Sequence, residues 1–281
     1  MKPTQSYDLT SYARYVRKRN VRLLALAIGA ALCVFAFFAH DRALSSVAML
    51  VAIGFVVGTI VSLGERLWAM PSWLRVQRRF KSVVVPAFSA GNYSAARAEL
   101  EALLNTAAGR EYIFVRLMLL TSIGNACASM GDADATKVIA QNIEQSGVLF
   151  APNLRRRTKS FAAYVGGLAV MHVLVGDVNA AQRLLAPLTP SERDSSPNVV
   201  LVCALVAFCA QEPTAVEQVE RASRVIDSVP NGGVFKTMLL MILEKQARSA
   251  NEHERAAQYA STIASVPQQT RDTAERTLSL A

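Results

Sequence analysis

The sequence predicts an all-α chain in two parts: a transmembrane hairpin near the N-terminus and an α-helical repeat array behind it. Two uncharged apolar runs, Leu23–Ala39 and Ala43–Leu63, are separated only by His40-Asp41-Arg42. From about Ser72 onward the chain is Ala-rich and divides into helix-length apolar and amphipathic stretches punctuated by short polar turns. The formal net charge of +9 is carried entirely by the residues around the apolar runs.

Residues 1–22 read as a basic interfacial segment, with Tyr7, Tyr12 and Tyr15 set among Arg14, Arg17, Lys18, Arg19 and Arg22. The hairpin occupies 23–66, with spans 23–39 and 43–63. At 1.5 Å per residue these reach about 25 Å and about 31 Å, against a hydrocarbon core near 30 Å. Arg22 and His40 can snorkel from the ends of the shorter span. Gly29, Gly54 and Gly58 are the candidate packing positions within the spans, because small side chains let helices in lipid approach closely. Packing within the hairpin is expected, and an oligomer through Gly54 and Gly58 is a second possibility. Neither span contains Asp, Glu, Lys, Arg or Asn, which argues against a channel or transporter.

Residues 67–81 follow as a basic juxtamembrane linker or helix, with Trp68 and Trp73 flanking Pro71. Residues 1–81 hold twelve basic and three acidic side chains; residues 82–281 hold eighteen of each. A nucleic-acid-binding domain would carry its excess on the folded part, so no nucleic-acid partner is expected. Basic flanks on both sides of a hairpin place both termini in the cytoplasm of a cell whose inner or plasma membrane holds the anchor. A cleaved signal peptide fits poorly, since Ala36-Phe37-Phe38-Ala39 lacks the small-x-small pattern.

Within 82–281, five turns recur: Ala90-Gly91-Asn92-Tyr93, Met130-Gly131-Asp132, Val175-Gly176-Asp177, Ala210-Gln211-Glu212-Pro213 and Ala250-Asn251-Glu252. A glycine can end one helix in the left-handed conformation, and the Asn or Asp after it can cap the next. Each helix pair is too thin to bury its own apolar face, so neighbours must complete the core. Arg271–Leu280 is expected to shield the last unit. Pro86 is expected to interrupt the first helix of the first unit.

Gly91-Asn92-Tyr93-Ser94-Ala95-Ala96, Ile123-Gly124-Asn125 with Gly131-Asp132, and Gly176-Asp177-Val178-Asn179-Ala180-Ala181 resemble tetratricopeptide repeats. The resemblance implies close helix crossings at Ala96, Ala181, Ala215 and Ala256, with Thr136 at the matching place in the second unit. It also implies a concave peptide-binding face formed by the first helices. Candidate positions there are Thr121, Asn125, Val170, Val173 and Phe208, with Ala163, Val200 and Ala204 among their neighbours. Thr121 stands where one subclass carries a carboxylate-binding Lys, so that clamp is not expected.

Arg155, Arg156 and Arg157 with Lys159 open a helix. Their charge opposes its dipole, which makes them a candidate lipid or acidic-partner contact. His172 reads as a packed helix residue, and the four cysteines as small buried hydrophobes. No catalytic, cofactor-binding or metal-ligating constellation stands out. The expected function is that of a membrane-anchored scaffold or adaptor whose repeat surface binds an unidentified partner protein. The alternative is an assembly or regulatory subunit that meets its partners through the hairpin.

Overall fold

The computed structural model describes residues 9, 54, 71–106, 113–150, 158–229 and 233–280. The described residues are all-helical and contain no strand. Among them no helix is long and apolar enough to cross a membrane. The proposed spans lie outside the described residues, except for Gly54.

Helix α1 runs across 71–89 as a regular helix, a π-turn at Phe80–Val84, and a last α-helical stretch, Val85–Ser89. The sequence places an interruption at Pro86, yet the helix continues through it. Proline lacks an N–H and its ring collides with the carbonyl four residues back, and the wider π-turn immediately before it absorbs both defects. The extra residue has a packing consequence. Val76, Phe80, Val84 and Phe88 recur every four residues, a spacing that drifts around a 3.6-residue helix but stays on one side of a locally widened one. Val76 and Val84 are fully buried, and Phe80 and Phe88 pack against the same core.

Helices α2 (Tyr93–Leu104), α3 (Ile113–Ser129), α4 (Ala133–Gln145), α5 (Thr158–Leu174) and α6 (Val178–Leu185) follow. Then come the single turn α7 (Pro190–Arg193), α8 (Pro197–Cys209), α9 (Ala215–Ser223), α10 (Val234–Ser249), α11 (His253–Ala264) and α12 (Gln268–Leu280). They form pairs: α1 with α2, α3 with α4, α5 with α6, α8 with α9, and α10 with α11. The first helices α3, α5, α8 and α10 pack in succession as an inner layer, and the second helices cover its outside. Of the inner helices, α5 and α8 are apolar nearly all round. In α8, Leu201–Ala207 is a run of seven buried residues. Outer helices keep one buried stripe, as in α9, where only Ala215, Val219 and Ala222 are buried. This is the pattern expected of a core helix beside a surface helix.

All five turns occur where the sequence places them. The backbone is left-handed at Gly91, Gly131, Gly176, Gln211 and Asn251. After each, the next N–H bonds five residues back: Asn92 to Ala87, Asp132 to Cys127, Asp177 to His172, Glu212 to Ala207 and Glu252 to Ala247, all at 2.8–2.9 Å. This is the Schellman termination, which satisfies carbonyls left over at a helix end. Asn92, Asp132 and Asp177 then accept from the N–H of Ala95, Ala135 and Ala180 to cap the following helices. Ala96, Thr136, Ala181 and Ala256 are buried at the helix crossings.

Helix α12 departs from expectation. It starts at Gln268 rather than Arg271, and it shields more than the last unit. It packs on α10 and also reaches the turns of the first two units. Tyr93 Oη and Thr270 Oγ1 are 2.6 Å apart, and Thr273 Oγ1, which donates to the carbonyl of Gln269 at 2.8 Å, also lies 3.3 Å from the carbonyl of Ser129. Thr270, Thr273, Ala274 and Thr277 form its buried side. The C-terminal helix therefore ties the last unit to the first two along the edge that carries the tight turns.

Leu9, which precedes the apolar runs, is 1% exposed and belongs to the same apolar core as Val76 and Val84.

Candidate functional site: an uncharged recess on the first helices

A recess of about 400 Å³ opens on the inner layer between α3, α5 and α8, with Phe235 of α10 at one side. Its walls are apolar: Met118, Val170, Val199, Val202 and Phe235. Polar groups are confined to Thr121, Ser122, Asn125, Tyr164, Ser196 and Asn198. Among the described residues, no Asp, Glu, Lys, Arg or His lines it. A mostly apolar concavity of this size with a few placed polar groups has the form of a ligand site.

Three of those polar groups are already engaged. Thr121 Oγ1 donates to the carbonyl of Leu117 at 2.8 Å, as threonines in apolar helices commonly do. Tyr164 Oη donates to the carbonyl of Phe114 at 3.0 Å, tying α5 to the start of α3. Ser196 Oγ accepts from the N–H of Val199 and caps α8. Asn125 differs: its Oδ1 is buried with no hydrogen-bond partner. A buried acceptor left unpaired is destabilising by about 1–3 kcal/mol. The last torsion of an asparagine is soft, so the carboxamide can turn either its acceptor or its donor toward the recess.

The adjacent glycines of α5 have opposite packing roles. A Cβ on Gly167 would stand 2.5 Å from Cγ2 of Thr121, so this glycine permits the close approach of α5 and α3. A Cβ on Gly166 would meet Val199 and Val202 at 3.9 and 4.0 Å, which is ordinary contact. Gly166 therefore leaves space in the recess that packing does not demand.

Of the positions expected on the concave face, Thr121, Asn125, Val170 and Ala163 line this recess. Val173 and Ala204 do not, being fully buried in the core. Phe208 is 37% exposed and lies outside the recess. Val200 lines a separate cavity with Arg193, Cys203 and Arg221. Helices α5 and α8 are apolar on every side, so their sequences carry no stripe to mark which side faces inward. Gly166, Tyr164 and Asn198 were missed for the same reason. Arg155, Arg156 and Arg157 lie outside the described residues, and Lys159 sits in the first turn of α5. Gly29 and Gly58 also lie outside them; Gly54 is helical, with open space where a Cβ would stand.

Other chemistry-bearing groups among the described residues are engaged in packing and helix contacts. His172 is buried, with Nε2 2.7 Å from Glu144 and Nδ1 3.8 Å from Asp177, so it joins α4, α5 and the cap of α6. Burial pushes the thiols of Cys127, Cys203 and Cys209 up to about 11, which leaves them protonated and poorly nucleophilic at neutral pH. Lys236 is buried and donates to the carbonyl of Val229; desolvation lowers its pKa, and Asp227 partly opposes that shift. Among the described residues no cluster of three or more His, Cys, Asp or Glu could hold a metal ion. No family model matches the chain, and no curated protein or solved structure matches it either.

Proposed function

We propose that the chain is a membrane-anchored cytoplasmic scaffold or adaptor: a two-span hairpin holding a tetratricopeptide-like array that binds partner proteins through its first helices. The observation that carries the reading is the uncharged recess, whose walls are apolar and whose Asn125 Oδ1 has no partner. Such a surface favours an uncharged stretch of polypeptide: apolar side chains meet the valines, and main-chain amides meet Asn125, Ser122 and Asn198. Anchoring concentrates the recess near the bilayer and so raises the effective concentration of partners there.

The burial of Leu9 supports the hairpin topology independently of charge. Leu9 and Val76 bracket both apolar runs and share one core. A chain that leaves and returns to the same core must cross a bilayer an even number of times. Two crossings agree with the basic residues on both flanks.

The test is a photoreactive amino acid at Asn198 of the full-length chain in native membranes. The expected result is a small set of protein adducts whose crosslinked peptides lack charged residues, lost when Gly166→Leu fills the recess. Adducts indifferent to Gly166→Leu would overturn the recess as the binding surface. Capture only from a probe at Gly54 would favour the hairpin as the contact instead.

A further inference from the structure

Helix α1 has an apolar and basic outer side that no described part of the domain covers. Its inner side is fixed in the core by Val76, Phe80 and Val84. Leu74 and Arg78, four residues apart, stand on the other side with Arg75 and Lys81, and all four are exposed. Trp73 is 36% exposed and Leu74 49%, both at the end of α1 nearest in sequence to the apolar run Ala43–Leu63. Arg79 pairs with Glu99 at 3.2 Å. Arg75, Arg78 and Lys81 make no ion pair among the described residues.

We propose that this side of α1 docks on an anionic bilayer surface, with Leu74 entering the headgroup region, Trp73 bordering it from the flank between this side and the core, and Arg75, Arg78 and Lys81 against acidic headgroups. The topology rests on the hairpin of the proposed function; the exposed side chains are a separate observation. Indole rings favour the membrane–water interface, and Lys and Arg stems lie along apolar surface while their charges reach outward. Basic side chains next to a membrane segment are drawn to the negative potential of the cytoplasmic leaflet. An acidic protein would satisfy the three cations but would not account for the neighbouring Trp73 and Leu74. Because α1 continues from this face into the core without a break, lipid contact would hold the domain at a set orientation. The recess would then be presented by a rigid helix instead of hanging on a loose tether.

The chain has two tryptophans, so Trp68→Phe leaves Trp73 as a single fluorescent reporter in the full-length protein. It is reconstituted into vesicles of phosphatidylcholine alone and with about 30% phosphatidylglycerol, an anionic content that gives the surface the charge this contact needs. Brominated phosphatidylcholine serves as the lipid-side quencher and iodide as the aqueous one. In the anionic vesicles, lipid-side quenching of Trp73 should rise on the order of twofold, with matching protection from iodide. That gain should vanish in about 0.5 M salt, where the Debye length falls below 5 Å, and in the Arg75→Gln/Arg78→Gln/Lys81→Gln variant. Quenching that ignores the anionic lipid or the triple substitution overturns the proposal. Trp73 open to iodide in both vesicles also overturns it, and leaves the face to an acidic protein. Failure of the hairpin reads separately, as release of the chain from both vesicle types by alkaline carbonate.

Discussion

Gly91, Gly131 and Gly176 end the first helices of three units at φ of 70°, 80° and 82°; Gln211 and Asn251 do the same work at 54° and 60°. The hydrogen bonds that close the five turns differ by no more than 0.1 Å. The sequences around them do not match. Asn92, Asp132 and Asp177 cap the next helix with a side-chain oxygen, whereas the caps before α9 and α11, Thr214 and Glu252, make no such bond. One backbone thus forms with local chemistry that favours it and with chemistry that does not. In the first three units glycine and a side-chain cap encode the turn where it occurs. In the fifth, Asn251 tolerates the left-handed region but no side chain caps α11. In the fourth neither device is present, so burial of the helices on either side offsets the strain at Gln211. A left-handed L-residue is unfavourable by roughly 1–2 kcal/mol, less than the burial of one large core side chain provides.

The largest effect expected from breaking this contrast is at Gly91. A Cβ there stands 2.9 Å from Cβ of Pro267 and 3.2 Å from Oγ1 of Thr270, in addition to the strain of φ +70°. Gly91→Ala should lower stability by about 2–4 kcal/mol, as backbone strain and overpacking combine. Gly176→Ala, where no atom lies within 4 Å of the added Cβ, should lose only the strain, about 1–2 kcal/mol. Denaturant unfolding of the detergent-solubilised chain measures both. Equal losses would mean that α12 does not sit against the first turn.

Removing caps tests the same contrast at lower energy. Asp177→Ala takes away the acceptor for Ala180 and the carboxylate beside His172, a loss of about 1–2 kcal/mol. Asp132→Ala removes the acceptor for Ala135 and a partly exposed ion pair with Arg97; about 1 kcal/mol is expected, most of it from the cap. Glu252→Ala should stay within about 0.5 kcal/mol, because Glu252 caps nothing with its side chain. A Glu252 effect as large as that of Asp177 would erase the distinction between the two kinds of turn.

The same distinction explains how far the sequence could be read. The first three turn positions were legible because a glycine and a capping side chain leave a signature within four residues, and the last two as short polar breaks between helix-length stretches. All-α architecture was legible because helix-length stretches lie between those turns. The closing contact of α12 was not. Its buried side consists of Thr270, Thr273, Ala274 and Thr277, and threonines at helical spacing read as a solvated surface. The hydroxyls of Thr273 and Thr277 are satisfied locally by the carbonyls of Gln269 and Thr273, and that of Thr270 is satisfied by Tyr93 across the seam. Only the partner across the seam turns these residues into core. The recess was half legible. Asn125 and Thr121 interrupt an apolar helix and so draw notice, while the inner sides of α5 and α8 are indistinguishable by hydrophobicity from their other sides. His172 shows that limit for a single residue: its burial follows from its neighbours in sequence, but its partner Glu144 arrives from α4, 28 positions away.

The smallest expected effect carries the sharpest sign. Gln211→Gly converts the fourth turn to the kind found in the first three and relieves roughly 1 kcal/mol or more of left-handed strain. Against this, glycine adds freedom to the unfolded chain, worth about 0.4–1 kcal/mol. The balance is a net gain of a few tenths of a kcal/mol, or about 1–2 °C in the melting temperature of a domain this size. Asn251→Gly should change almost nothing, because asparagine already tolerates the left-handed region and the entropy term offsets the little strain that remains. Gln211→Gly should therefore melt above Asn251→Gly. The reverse order would show that Gln211 gains something in place that its backbone angle does not reveal, and that the fourth turn is encoded locally after all.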